Sequence, residues 1–208
     1  FIRELDGGGA QRDAILLANA LAARGIATSI LTLRPEGRFA SLVSRDVQGV
    51  ALGAHKLRSA VPSLRHALKA LKPRYLLSSE SAANIVAFIA ARSLPRSLRP
   101  SILLREVTSP SVARYQDPYI QNRLAYRFIR WVYSNANVVL TLTEGAKADL
   151  IRNFCVPEGR IAVLRSNAVL TPETERHLAA SAAVSESQRE PGLIVSVGRL
   201  SPEKDQLV

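Results

Sequence analysis

Methionine is absent from this sequence, cysteine occurs once, at Cys155, and histidine three times, at His55, His66 and His177. A single cysteine excludes an internal disulfide and a metal site built on thiolates, and suits a small thiol kept in a reducing compartment. The histidines lack ligand spacing and read as ordinary surface or helix residues. No Asp-x-Asp occurs anywhere, which argues against paired carboxylates holding a divalent metal against a nucleotide diphosphate. No apolar run approaches the roughly 18 residues that a membrane span requires. The opening FIRELDGGGA lacks the charged and apolar regions of a signal peptide. Without a starting Met, it reads as the tail of a first strand whose beginning is missing.

What is present is enough for a sizeable core. The chain has 208 residues, of which 47% are hydrophobic, and a mean hydropathy of +0.06. That length accommodates one large domain, or one domain and part of a second. The net charge of +11 is unevenly placed: residues 56–130 hold fourteen Lys and Arg against Glu80, Glu106 and Asp117, so this one segment carries the whole excess. A polyanionic or membrane-surface partner is expected to meet it there.

Strand and helix patterns alternate along the chain. After FIRELD and three glycines, AQRDAILLANALAARG has a helical apolar face, and IATSILTL reads as a strand. VPSLRHALKALKP, AANIVAFIAARSL and EGAKADLIRNF read as helices, with RYLLSS, SILLREV, NVVLTLT and RIAVLRS as strands between and after them. Asp117 and Pro118 open a long helix reaching about Ser134, as N-cap and first helical residue. Crossovers of helix length between strands predict an α/β fold with a doubly wound parallel sheet. Residues 168–191, rich in Ala, Ser and Glu, read as a linker, and GLIVSVGRL restarts the strand pattern. The predicted organisation is therefore a first domain over 1–167, a linker over 168–191, and the first strand and loop of a truncated second domain over 192–208.

Two stretches carry candidate chemistry. Gly7 to Gly9 lie between a strand and a helix start, where glycine permits either a tight turn of positive φ or close approach of an anion to free helix N–H groups. A dinucleotide fingerprint fits poorly, because Arg12 stands at its third glycine and Arg34, not an acid, ends the second strand. VGRLSPEKD at 197–205 places Arg199 and Lys204 on a short turn past an apolar strand. The turn is either a solvated loop or a phosphate grip above the carboxyl end of a sheet.

LDGGGAQRDAILLANALAARGIATSILTLRPEG, NVVLTLTEGAKADLIRNFCVPEGRIAVLRSN and LIVSVGRLSPEKD occur in that order, and together they resemble the retaining glycosyltransferases of family 4. The resemblance spans essentially the whole chain. It implies the GT-B architecture of two facing Rossmann-like domains. It further implies that Arg199 and Lys204 hold the donor diphosphate, with Gly8 and Gly9 facing the same cleft. Asp205 stands where the family often has Gly, Val107 where a histidine often follows a Glu, and Asn167-Ala168-Val169 where Asn-Pro-Val is usual. The family's paired glutamates, in an E-x7-E segment, fall beyond Val208. The resemblance thus implies a fragment, inactive alone, of an enzyme moving a hexosyl-type sugar from a nucleotide-sugar donor to a glycan or lipid-linked acceptor. Retention of configuration, no cofactor or metal, polysaccharide or lipopolysaccharide assembly, and a cytoplasmic location peripheral to the inner membrane face complete that expectation.

The basic segment offers a second class of function. Arg65, Lys69 and Lys72 share one face of their helix. In the predicted helix 118–133, Arg123, Arg127 and Arg130 lie beside a stripe of Tyr119, Tyr126 and Tyr133, with Ile120, Leu124, Phe128, Trp131 and Val132 on an apolar arc. Each is either a solvated face over a core face or an acceptor- and membrane-facing surface for anionic headgroups. A non-catalytic basic module for membrane or nucleic acid is the alternative to the enzyme. No recognisable nucleic-acid module is present, so no nucleic-acid partner is expected.

Overall fold

The computed structural model describes residues 1–6, 8–116, 123, 126–164, 176–177 and 179–180. The chain divides into two compact units, Phe1–Val169 and Leu170–Val208, and the description below concerns the first. Its elements run α1 (Gly9–Ala22), β1 (Ser29–Thr32), β2 (Gln48–Ala51), α2 (Val61–Leu71), β3 (Tyr75–Ser79), α3 (Ser81–Arg92), β4 (Ser101–Glu106), α4 (Pro110–Gln116), α5 (Ile129–Ser134), β5 (Val138–Thr141), α6 (Glu144–Phe154) and β6 (Ile161–Val163). Local chemistry sets several boundaries. Pro62 sits in the first turn of α2, where its missing N–H costs nothing. Thr143 caps α6 by accepting a hydrogen bond from the Ala146 amide at 3.1 Å.

Every strand pair is parallel: β1 with β2, and β3-β4-β5-β6 in sequence order. The segment Phe1–Leu5 fills the seam between the two sheets. On one side the Ile2 amide donates to Leu31 O and the Leu33 amide to Arg3 O, both at 3.1 Å. On the other, the Phe1 nitrogen donates to Leu77 O at 2.6 Å. From this seam the chain first builds outward through β1 and β2, then crosses back to β3 and builds the other way. That reversal is the topological switch of a doubly wound sheet.

The two faces hold separate cores. Ile15 and Ala18 of α1 pack with Ile2, Leu5, Ile30 and Val47. The larger core gathers Leu64 and Leu68 of α2, Val86 and Phe88 of α3, Ile129 and Val132 of α5, and Leu150 and Phe154 of α6 over Leu76, Ile102, Leu104 and Val139. Right-handed crossovers explain the division: α1 leads away from the seam in one direction, and the later helices lead in the other.

Three sequence expectations change here. The strand β2 at Gln48–Ala51 carries no apolar alternation, its side chains being mostly exposed, so periodicity does not reveal it. Of the predicted helix through Ser134, Asp117 to Asn122 and residues 124–125 lie outside the described residues; Arg123 is helical, and a 3-10 turn at Tyr126–Phe128 leads into α5. A 3-10 turn advances about 120° per residue rather than 100°, and the face rotates accordingly. Ile129, Val132 and Tyr133 therefore point into the core, whereas Phe128 and Trp131 are 57% and 53% exposed. Tyr133 belongs to the interior, not to a surface stripe.

Candidate active-site crevice

In open α/β sheets ligands bind outside the carboxyl ends of strands at the switch point. Here that place lies between the loop after Leu5 and the loop after β3. Gly8 is the N-cap of α1, with φ −108°, and Gly9 its first residue. Neither has a positive φ, and a Cβ on either would meet nothing within 4 Å. A left-handed turn therefore does not account for glycine at these two positions; the space above them is open. At a helix start the first N–H groups have no intrahelical acceptor and the dipole is positive. Gln11 fastens this loop to the far side of the switch: its Oε1 accepts from the Gly8 amide at 3.1 Å, and its Nε2 donates to Glu80 Oε1.

Glu80 follows the last residue of β3 with φ 78° and ψ 137°, a conformation that non-glycine residues adopt at a cost of about 1–3 kcal/mol. The backbone is pinned on both sides. Its amide donates to Arg105 O at 3.2 Å, and its carbonyl accepts from the Asn84 amide at 2.8 Å to start α3. Burial pushes the Glu80 carboxyl pKa up, with Arg3 and the Gln11 hydrogen bond opposing. Glu80→Gly and Glu80→Ala both lose the carboxylate, but only Gly relieves the backbone. Glu80→Gly is expected to be the more stable by about 1 kcal/mol in urea titration; an equal pair contradicts the strain. Because the folded pKa lies above the unfolded one, Glu80 weakens the fold as pH rises through the shifted value. Glu80→Gln removes that dependence.

Behind Glu80 lies a buried polar network at the end of β4. Glu106 is fully buried. Its Oε2 accepts from Ser81 Oγ at 2.7 Å and Tyr133 OH at 2.6 Å, and its Oε1 accepts from the Thr108 amide at 3.1 Å and Thr108 Oγ1 at 2.8 Å. Tyr133 OH also accepts from Asn84 Nδ2 at 3.0 Å. Burial, reinforced by Glu106, pushes the phenol pKa well up, so Tyr133 stays a donor. On the opposite face, buried Arg105 pairs through Nη2 with Asp13 of α1. Its Nε and the buried hydroxyls of Ser78, Ser79 and Thr141, all near strand carboxyl ends, lack partners among the described residues.

Beside this network opens a cleft of about 790 Å³, walled by Arg3, Glu4 and Asp6, by Leu33, Arg34 and Glu36 after β1, by His55 to Arg58, and by Ala82, Ile85 and Val86 of α3. Its size is that of a pocket for a small ligand.

Of the sequence-predicted residues, Gly8 and Gly9 stand at the start of α1 beside the switch point and are not among the residues walling the cleft, while Arg199 and Lys204 lie outside the described residues. Arg65 and Lys69 are exposed on α2, with Arg65 Nε donating to Ser93 O at 3.4 Å. Lys72 is the C-cap in a left-handed conformation, φ 47°, so it leaves the helix rather than extending its face. Arg123, Arg127 and Arg130 are exposed. None of these cations lines the cleft. Gln11, Glu80, Glu106, Arg34, Lys56 and Arg58 escaped sequence reasoning as site residues. The available signal was that two of the three acids in the basic segment, Glu80 and Glu106, each end a strand.

Comparison with known proteins agrees with this architecture. Among curated proteins no match was found. The crystal structure of a glycosyltransferase from Rickettsia africae ESF-5 is similar in fold, with a TM-score of 0.53 and 14% identity, over 89% of this chain and 50% of that one. This chain thus spans about half the length of that relative. The family model for Glycosyltransferase Family 4 matches residues 7–166, from the glycine loop past β6, and the chain belongs to that family.

Proposed function

We propose that residues 1–167 form the acceptor-side domain of a GT-B enzyme that moves a sugar from a nucleotide-sugar donor to a glycan or lipid-linked acceptor. Retention of configuration, no metal requirement, and a cytoplasmic setting in polysaccharide or lipopolysaccharide assembly belong to the same reading. In it, residues 168–191 link to a second domain that starts at 192, and transfer needs more than these 208 residues. The observation carrying it is the glycine pair at the switch point, free of conformational demand and open above, where a diphosphate finds helix N–H groups. Arg199 and Lys204 supply the positive charge that stabilises the departing diphosphate, together with loop amides. In a protein containing the second domain, Arg199→Ala or Lys204→Ala is expected to cost about 1.5–3 kcal/mol, or at least roughly tenfold, in calorimetric titration with a nucleoside diphosphate. Both variants binding like wild type would end the phosphate role.

A peripheral membrane contact is supported by one further observation: Phe128 and Trp131 are exposed beside Arg127 and Arg130, the pairing of aromatic and cationic groups suited to a headgroup interface. Among the described residues no helix is long and apolar enough to cross a membrane. Near an anionic surface each cation contributes about 1 kcal/mol, screened by salt. Sedimentation with anionic vesicles is expected to fade with added salt and to weaken when Arg127 and Arg130 become Gln. Equal sedimentation with neutral vesicles returns this face to a solvated one.

A further inference from the structure

The cleft beside the seam has an unusual charge balance. Arg3 pairs with Glu4 at 2.7 Å, and Asp6 pairs with Arg38 at 3.2 Å. That leaves Arg34, Lys56 and Arg58, which form no ion pair among the described residues, against Glu36 alone. Arg34 is held in place from two directions. Thr32 Oγ1 donates to its carbonyl at 2.7 Å, and its Nη2 donates to His55 Nδ1 at 3.1 Å. The remaining wall is apolar, formed by Leu33, Leu57, Ile85 and Val86. Three cations without an ion pair and an apolar wall in the same cleft suit an amphiphilic anion: a charged group that takes several N–H donors, joined to a body with an apolar face.

We propose that this cleft is the acceptor subsite and that the acceptor carries a phosphate ester, gripped by Arg34, Lys56 and Arg58 while its sugar ring lies against Leu33, Leu57 and Ile85. The inference rests on the acceptor-side reading of this domain. It also places the acceptor away from the exposed cations of α2 and α5. Arg34 presents a bidentate fork and Lys56 a point charge, and the two act on the same phosphate from different strands' ends. The phosphate is either that of a soluble sugar phosphate or that of a lipid-borne one, and the two sources present the same group.

Calorimetric titration of the 208-residue chain with glucose 6-phosphate, with glucose as the neutral control, tests the proposal without any transfer reaction. Binding of the phosphate ester but not of glucose is expected, weakening with salt. Arg34→Gln and Arg58→Gln are each expected to weaken it about tenfold, and Arg65→Gln on α2 to leave it unchanged. These cleft side chains are exposed, and circular dichroism checks that the variants fold. Wild type and the triple variant Arg34→Gln, Lys56→Gln, Arg58→Gln are then titrated with a short-chain phosphatidylglycerol below its micellar concentration, which presents the lipid phosphate without a membrane surface. Binding of both ligands by the wild type and of neither by the variant assigns a lipid-borne phosphate, and binding of glucose 6-phosphate alone assigns a soluble one. No binding by the wild type, or binding unaltered in the triple variant, overturns the proposal. The transferase reading falls separately, on the donor titration of Arg199 and Lys204.

Discussion

Glu106→Ala is expected to destabilise the domain by about 3–5 kcal/mol, because it leaves several buried donors without an acceptor at about 1–3 kcal/mol each. Four donors converge on this carboxyl group: Ser81 Oγ, Tyr133 OH, and the amide and hydroxyl of Thr108. Alanine leaves the Tyr133 phenol, itself fully buried, facing a cavity with its proton unaccepted. The network ties the start of α3 and the wall of α5 to the end of β4, next to the pinned backbone of Glu80. Tyr133→Phe removes one of the four donors and is expected to cost less, about 1.5–3 kcal/mol. Thermal unfolding separates the two: Glu106→Ala lowers Tm on the order of 10 °C for a domain of this size, and Tyr133→Phe by less. The reverse order contradicts the network's central role for Glu106.

Gly37→Ala is expected to be nearly as damaging, at about 3 kcal/mol, for a steric reason. A Cβ at this position stands 2.5 Å from the Leu5 carbonyl carbon, 2.7 Å from its oxygen and 2.8 Å from its Cβ. Backbone atoms cannot swing aside as a side-chain tip can, so the turn itself must move. That turn is bound to the seam by the Phe39 amide donating to Leu5 O at 2.8 Å and the Arg38 amide donating to Asp6 Oδ1 at 2.7 Å. It also carries Arg34 and Glu36 into the cleft. Gly9→Ala serves as the contrast, since nothing lies within 4 Å of its added Cβ; its expected change is under about 1 kcal/mol. Urea denaturation of the pair decides the matter, and equal effects would contradict the close packing at Leu5.

The parallel, doubly wound sheet was legible because its interior strands each hold an apolar run, Leu76-Leu77, Ile102 to Leu104 and Val138 to Leu140, and its helices show a 3.6-residue period. The helix over EGAKADLIRNF matches α6 to the residue. β2 was illegible for the complementary reason, since an exposed strand at the sheet's outer end needs no apolar pattern. The rotation of α5 arose from one 3-10 turn, which no periodicity count anticipates. At the crevice, Gly8 and Gly9 were legible from their position between strand and helix. Glu80 and Glu106 were not, because their roles depend on partners distant in sequence, Gln11 for one and Tyr133 for the other. Two of the cleft cations, Lys56 and Arg58, hid in a charge excess that spreads over residues 56–130, and only the fold separates them from Arg65 and Lys69 and brings them to one cleft with Arg34.

The central claim is that the open space above Gly8 and Gly9 is where the donor diphosphate meets this domain. Its direct measurement is glycosyl transfer from a panel of radiolabelled nucleotide-sugars to a membrane-extract acceptor, by the protein that contains both domains. The wild type is compared with Gly8→Val Gly9→Val. The account predicts transfer by the wild type and at least a hundredfold loss in the variant, about 2.7 kcal/mol of transition-state stabilisation, with the fold intact by circular dichroism. Undiminished transfer by the folded variant would contradict it.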